Sequence, residues 1–323
     1  MLLGVSVVVF VAMHLLPGDV ATLLLGDRAT AASLARLRHE LGLDQPVFVQ
    51  YWRFLSGALS GDFGTSLRDN RPALGEVLQA FPTTIELTVS ALALAVAIGL
   101  PLGVFAAFRE GTWLDTAITT PTLFGVSMPV FWLGLMALLL FSEKLGWLPT
   151  GGLMPIGAHV PERTGLSIID AFLTCNAALI WQAIRHLLLP AATLATIPLA
   201  LITRITRGEV LASMHLDHVR TARAKGLPEG RVRRAHILRN ALIPIVTVIG
   251  LQLGLLLSGA FLTETIFSLP GLGRLMVDAI LARDYPVVQT GAIFIAGLFV
   301  LVNFAVDISY GLLDPRVRRK GAR

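Results

Sequence analysis

Five stretches of the chain are nearly unbroken apolar runs: roughly Leu87–Ala107, Ala117–Phe141, His186–Thr203 with some extension, Ala241–Leu262 and Pro286–Leu313. A helix rises 1.5 Å per residue, so about 20 mostly apolar residues cross a hydrocarbon core of about 30 Å. Each run therefore predicts a membrane-spanning helix. A sixth run, Met1–Leu16, is apolar but would give a helix of only about 24 Å. No basic n-region and no small-x-small cleavage site precedes Pro17, which argues against a cleaved signal peptide. The run fits the second half of a first spanning helix, so six spans are expected, the first of them truncated.

Between the first two runs, Gly18–Pro82 is too polar to span and too patterned to be structureless. Thr30 is placed to cap a helix with Leu34, Leu37 and Leu41 on one face and Gly42 at its end. Pro46 suits the first turn of a second helix carrying Phe48, Trp52, Leu55 and Leu59 along one side. The pair reads as a small hairpin packed on the outer face of the membrane domain, either a structural cap or a contact for an extracytoplasmic partner. The spans hold Pro101, Pro121, Pro129, Pro190, Pro198 and Pro244. Proline inside a helix frees a carbonyl and kinks the chain, which membranes tolerate where neighbours satisfy the backbone.

Composition agrees with this pattern. Of 323 residues, 54% are hydrophobic and only 15% charged, against about 25% charged in an ordinary soluble domain. Mean hydropathy is +0.73. The net charge of +5 would be compatible with nucleic acid, but its location is not. Of the 26 basic residues, 15 lie in Arg109, Arg204–Arg239 and Arg316–Arg323, the segments that are inside if both termini are inside. Six of the others lie in the long Gly18–Pro82 segment, whose length lets it translocate regardless of charge. The orientation read is N-in and C-in, with membrane lipid as surroundings and no nucleic-acid partner. Cys175 is the only cysteine, so there is no internal disulfide and no cysteine metal cluster.

The most informative connection is the basic loop 204–240 between the fourth and fifth spans. Asp217 starts a short helix there, and Gly226 with Pro228 stops it. Such a short basic helix, with small Ala222 and Ala224 beside Gly226, suits a mechanical connection to another subunit. Thr221-Ala222-Arg223-Ala224-Lys225-Gly226, followed by His236–Arg239 and Asn240–Pro244, resembles the variant EAA loop of binding-protein-dependent ABC permeases of the dipeptide/oligopeptide/nickel branch. Four further stretches resemble the same branch in the same order. They are Leu15–Asp19 with Glu40–Pro46, Gly61–Leu67, Glu264–Gly273 and Leu313–Arg318. The general loop's opening Glu-Ala-Ala is replaced by Arg220-Thr221-Ala222, so no role passes to a glutamate.

The resemblance implies an all-α polytopic membrane protein with the type I ABC importer permease fold. It divides as 1–82 (first span and external helical segment), 83–313 (five-helix core with coupling loop 204–240) and 314–323 (cytoplasmic basic tail). It implies a first-type permease subunit in a bacterial or archaeal inner membrane, paired with a second permease, two cytoplasmic ATPases and an extracytoplasmic substrate-binding protein. Peptides, nickel chelates, glutathione and some sugars are the solutes of such systems. ATPase coupling would fall to Asp217, Arg220, Thr221, Ala222, Arg223, Ala224, Lys225 and Gly226, with Ala222 and Gly226 giving close packing and the charged residues polar contacts. No cofactor is expected on this chain, since ATP and magnesium belong to the ATPase subunits.

Gly-Lys-Ser/Thr is absent, and the three lysines are Lys144, Lys225 and Lys320, so no Walker phosphate cradle is encoded. The chain is expected not to be an enzyme and to hold no metal, because His14, His186 and His215 lack ligand spacing. Arg185 and His186 fit interfacial snorkelling better than substrate contact. Glu86 and Asp307 lie near span boundaries and fit solvated or paired carboxylates. Glu264 is the candidate for the translocation path, either paired with Arg274 or lining an outer gate. The rival reading, a secondary transporter driven by an ion gradient, needs charged or broken helices at the midplane of paired repeats.

Overall fold

The structure is a computed structural model that describes residues 2–15, 20–25, 30–40, 42–158 and 160–313. Leu16–Asp19 of the first family-like stretch, Leu41 of the first hairpin helix and the basic tail 314–323 lie outside the described residues, as does the side chain of Asp307. The regular elements among the described residues are all helices, with no strand and only an isolated bridge between Thr65 and Pro72. In chain order the helices are α1 (Leu2–Leu15), α2 (Val20–Leu25), α3 (Ala31–Glu40), α4 (Val47–Leu59), α5 (Ala73–Phe108), α6 (Trp113–Ser127), α7 (Val130–Ala137), α8 (Ser167–Leu173), α9 (Ala177–Met214), α10 (Asp217–Ala224), α11 (Glu229–Arg231), α12 (Arg239–Gly259), α13 (Phe261–Ile266), α14 (Leu272–Ala282) and α15 (Tyr285–Leu313). Two π-helical stretches, Leu138–Lys144 and Val232–Leu238, extend α7 and join α11 to α12.

Among the described residues, four helices are long and apolar enough to cross a membrane: Ala73–Phe108, Ala177–Met214, Glu229–Leu257 and Tyr285–Val306. The second run read from the sequence, Ala117–Phe141, is not one helix. It breaks between Ser127 and Val130, where Pro129 is extended at φ −62° and ψ 131°. Proline lacks the N–H for the helical ladder and pushes the preceding residue out of the α region. Pro121, Pro190 and Pro198 are accommodated within their helices. Other boundaries move outward: α5 begins at Ala73 rather than Leu87, and α9 extends well past both ends of His186–Thr203. Helices of 36 and 38 residues measure about 55 Å, against a core of about 30 Å, so both project beyond it.

The chain forms two compact units, residues 1–83 with 270–298 and residues 84–269 with 299–323. In the first, α1 packs on α4. Phe10 meets Tyr51 edge-on at 5.3 Å, Ser6 Oγ lies 3.0 Å from the Tyr51 hydroxyl, and His14 Nε2 lies 3.1 Å from Gln50 Oε1. Thr30 caps α3 by accepting from Ser33 N at 3.2 Å. At the other end Gly42 sits at φ +68°, and its N–H and that of Leu43 reach back to His39 and Arg38. The predicted packing face of α4 is reversed: Phe48, Trp52 and Leu59 are exposed, and α1 takes Gln50, Tyr51 and Phe54 instead. The Gly61–Leu67 stretch is fastened by Ser66, whose hydroxyl donates to buried Asp284 at 2.5 Å.

In the second unit, one apolar core joins Leu87, Ala91 and Ala95 of α5 to Leu187, Leu194 and Ile202 of α9, with Leu256, Phe267 and Leu269. Gly99 and Gly103 let α5 and α9 approach closely. A Cβ at Gly99 would lie 2.9 Å from the Leu199 carbonyl oxygen, and one at Gly103 2.6 Å from that of Thr203. This is the small-xxx-small contact by which membrane helices gain van der Waals packing. Outward faces carry Val89, Ile98, Leu188, Ile197, Leu251 and Leu255 exposed, an apolar surface that suits lipid.

Candidate functional site

Each residue singled out from 217 to 226 falls on or directly after α10. Leu216 precedes the helix in extended conformation at ψ 146°. Asp217 takes the first helical position, where a negative charge favours the helix dipole, but it makes no capping hydrogen bond and its side chain is fully exposed. The helix ends in a Schellman closure: Gly226 N donates to Arg223 O at 2.9 Å and Leu227 N to Ala222 O at 3.3 Å.

Two faces result. Val219 and Ala222 are buried against Val210 of α9, Val232 and Ile237 of the second π stretch, and Ala241 and Ile245 of α12. Asp217, Arg220, Thr221 and Ala224 lie at i, i+3, i+4 and i+7 and are all exposed, as are Arg223, Lys225 and Gly226. The close packing expected of Ala222 and Gly226 is therefore redistributed. Ala222 packs within its own chain, and a Cβ on Gly226 would meet nothing within 4 Å. What Gly226 supplies is its φ of +74°, a conformation that L side chains adopt at a cost.

The surrounding charges brace this helix. Arg223 Nη2 lies 2.9 Å from Glu229 Oε1, and Arg233 Nε lies 3.6 Å from the same oxygen. Arg233 also stacks over Phe108 at 4.7 Å from the ring centroid. Higher on α9, Arg207 Nε and Nη2 donate to the two oxygens of Asp115, both at 2.6 Å. The Arg207 guanidinium holds the Asp115 carboxyl below the usual carboxylate range, against the opposing effect of burial. This bidentate pair, 92 residues apart in sequence, ties the start of α6 to the helix that leads into α10.

The other candidates lie away from α10. Glu86 is neither solvated nor ion-paired. It is buried and accepts from Ser167 N at 2.8 Å, Ser167 Oγ at 2.7 Å and Ile168 N at 2.6 Å, capping α8 from a distance. Asp170 gathers the preceding loop by accepting from Thr164 N and Oγ1 and from the backbone of Arg163 and Gly165. Burial raises its carboxyl pKa, but these donors outweigh it and leave the pKa lowered. Arg185 donates to the Trp147 carbonyl, and His186 Nδ1 lies 3.0 Å from Gly151 O and 3.1 Å from Gly152 O. Glu264 is wholly buried and accepts from Thr84 Oγ1 at 2.6 Å. No group of three or more His, Cys, Asp or Glu side chains among the described residues could hold a metal.

Asp115, Arg207 and Asp170 escaped the sequence reading. Hydropathy marks a charge beside a span, but not which distant residue answers it.

Helices as the regular elements among the described residues, several of them apolar and long enough to cross a membrane, define the class of a polytopic membrane protein. Two family descriptions cover almost all of the chain. "Binding-protein-dependent transport system inner membrane component" matches residues 99–319, and the corresponding N-terminal membrane component matches residues 1–88. The chain belongs to this family of inner-membrane transport components. It is 46% identical to the di/tripeptide transport system permease protein DppB of Pseudomonas aeruginosa over 98% of this chain and 95% of that protein. It is 45% identical to the probable D,D-dipeptide permease DdpB of Escherichia coli, covering 98% and 94%. To the dipeptide permease DppB of Escherichia coli it is 42% identical, covering 98% and 95%. Among solved structures, an inward-facing form of the MetNI methionine ABC transporter matches in fold with TM-score 0.56 and 17% identity, covering 75% of this chain and 98% of that one. The chain is thus a multi-pass permease of the ABC importer class, and these comparisons give the secondary-transporter reading no support.

Proposed function

We propose that this permease forms half of the translocation path for short peptides and takes its driving force from two ATPase subunits that dock on α10. The observation that carries the reading is the division of α10 into a buried apolar foot and an exposed polar face. A force applied to Asp217, Arg220, Thr221, Ala224 or the residues up to Gly226 passes through Val219 and Ala222 into α9 and α12. Alternating access then needs only two arrangements of the helices that ATP and solute bind unequally.

The peptide class comes from the relatives' names and their coverage of both chains. The full assembly would hold a second permease, two ATPases carrying ATP and magnesium, and an extracytoplasmic binding protein, with no cofactor on this chain. Both termini are placed inside by the basic residues of 204–239 and 316–323. The division 1–82, 83–313 and 314–323 stands as part of this proposal, and so does a gating role for Glu264.

Mild detergent extraction of the tagged chain tests the reading. Two ATPase chains and a second permease should co-purify, and the assembly reconstituted with its binding protein should take up a labelled dipeptide only when ATP is present. Recovery of a lone protomer that transports on an ion gradient would overturn it.

A further inference from the structure

The apolar stripe that the sequence places on α4 stands exposed in the first compact unit. Phe48, Trp52 and Leu59 are 74%, 67% and 83% exposed, and Leu55 between them is half-buried. These positions follow one another at i, i+4, i+7 and i+11, so they form one continuous ridge along the helix. What covers the ridge depends on where α1 holds it. α1 contains no Asp, Glu, Lys or Arg and exposes Leu3, Val8 and Leu15, while Pro17-Gly18-Asp19 follows it in the sequence. Its place is therefore the hydrocarbon, with Leu15 near the boundary.

α4 meets α1 inside that boundary. The rings of Tyr51 and Phe54 lie 5.3 and 6.3 Å from that of Phe10, which sits about 7 Å deeper along α1 than Leu15. The Tyr51 hydroxyl lies 3.0 Å from Ser6 Oγ, on a residue about 13 Å deeper than Leu15. The middle turn of α4 is thus at the depth of a helix lying in a membrane surface, about 5–10 Å into the headgroup and acyl boundary. The contacts also set which way the ridge points. Gln50 meets His14 near the boundary end of α1, whereas Tyr51, roughly 100° further round α4, meets Ser6 two turns deeper. Turning about α4 from Gln50 to Tyr51 therefore runs from the surface toward the membrane interior. Turning on in the same sense by roughly 40–100° reaches Leu55, Phe48, Leu59 and Trp52. Arg53 and Ser60, both exposed, lie round the other side toward Gln50. The ridge faces the hydrocarbon and the polar side faces the headgroups.

We propose that α4 lies in the plane of the membrane surface, with Phe48, Trp52, Leu55 and Leu59 inserted among phospholipid acyl chains and Arg53 level with the lipid phosphates. The leaflet is the one in which α1 ends, the outer one when the N-terminus is inside. This goes beyond the coupling reading and holds whatever the solute is, because it concerns how 47–59 is seated. The hairpin read from the sequence as packed on the outer face becomes, at α4, part of the bilayer. Phospholipid is the occupant because a water-soluble binding protein does not reach hydrocarbon depth. Trp and Phe rings at an interface, with an Arg whose stem spans to the headgroups, are also the side chains a lipid surface accepts. The second permease is the protein that shares this depth, and the test separates it from lipid.

The test is spin labelling of the complete permease–ATPase assembly in vesicles of phosphatidylethanolamine and phosphatidylglycerol. Exposed Cys175 is first removed by Cys175→Ser. Single labels then enter through Phe48→Cys, Trp52→Cys, Leu59→Cys and Ser60→Cys. Val8→Cys on α1 serves as the lipid reference and exposed Glu162→Cys as the water reference. Oxygen concentrates in the bilayer and a nickel chelate in water, so collision rates with the two rank the labels by depth. Labels at 48, 52 and 59 should collide with oxygen severalfold more than with nickel, as at Val8, while the label at Ser60 should favour nickel. Nickel-dominated collisions at all four sites would put α4 in water and overturn the proposal. Protection of 48, 52 and 59 from both agents would show that protein covers the ridge, and would equally overturn it. The native ring gives an independent reading if a labelled variant does not assemble. The fluorescence lost in Trp52→Phe should be quenched severalfold more by lipids brominated near the carbonyl end of the chain than by aqueous iodide. Quenching by iodide with no effect of brominated lipid would overturn the proposal by itself.

Discussion

The loop bearing α10 and the loop bearing α8 belong to the same compact unit but are held by opposite means. At α10 the anchor is apolar: Val219 and Ala222 are buried while Asp217, Arg220 and Lys225 stand in solvent. At α8 the anchor is charged: Glu86 and Asp170 are buried, and backbone N–H groups meet their oxygens. Buried carboxylates satisfied by fixed donors allow one geometry, because any displacement strands a charge. An apolar foot tolerates small sliding and leaves the polar face free for another protein. The contrast separates a loop fixed by buried charge from a loop seated on an apolar foot, which is the property the proposed coupling role requires.

Breaking the charged anchor should have the largest effect on stability. Glu86→Ala strands three donors, each worth about 1–3 kcal/mol when buried and unpaired, so a loss of about 3 kcal/mol is expected. Thermal unfolding in detergent and proteolysis within the 150–170 loop measure it; an unchanged melt would dissolve the contrast. Asp115→Ala comes next, at about 2 kcal/mol, because the stranded Arg207 is 28% exposed and water offsets part of the loss. Arg207→Gln in the Asp115→Ala background should cost less than it does alone, as a double-mutant cycle would record.

The same pair gives a pH dependence. The Asp115 carboxyl is lower in the folded state than its ordinary value near ~4. Its contribution is therefore complete above that value and is lost as pH falls through the lower folded pKa, because the unfolded chain binds the proton first. Melting temperature should fall with acidification more steeply in wild type than in the doubly substituted protein.

At α10 the order of effects reverses. Gly226→Ala should cost about 1 kcal/mol through the left-handed backbone alone. Gly226→Trp, at the same exposed position, should remain in the membrane while uptake is abolished; normal uptake would remove the coupling assignment. Arg220→Ala should change stability by no more than about 0.5 kcal/mol yet lower ATP-driven uptake severalfold, a split between folding and function that α8 should not show.

The apolar runs and the basic loop were legible in the chain because each is a local signal. Twenty apolar residues read as a span, and a glycine after a short basic helix reads as its end, which the Schellman closure at Gly226 bears out. Local chemistry also marked Thr30 as a cap and Pro129 as a candidate kink, though not that Pro129 would divide the span. Tertiary structure alone decided which face of α4 meets α1, that Ala222 turns inward, and that Glu86, Asp170 and Asp115 find their donors. Those outcomes depend on partners up to 92 residues away, such as Arg207 for Asp115 and Ser167 for Glu86. A sequence fixes its own periodicity, but which distant donor reaches a buried charge is settled only when the packed helices bring the two together.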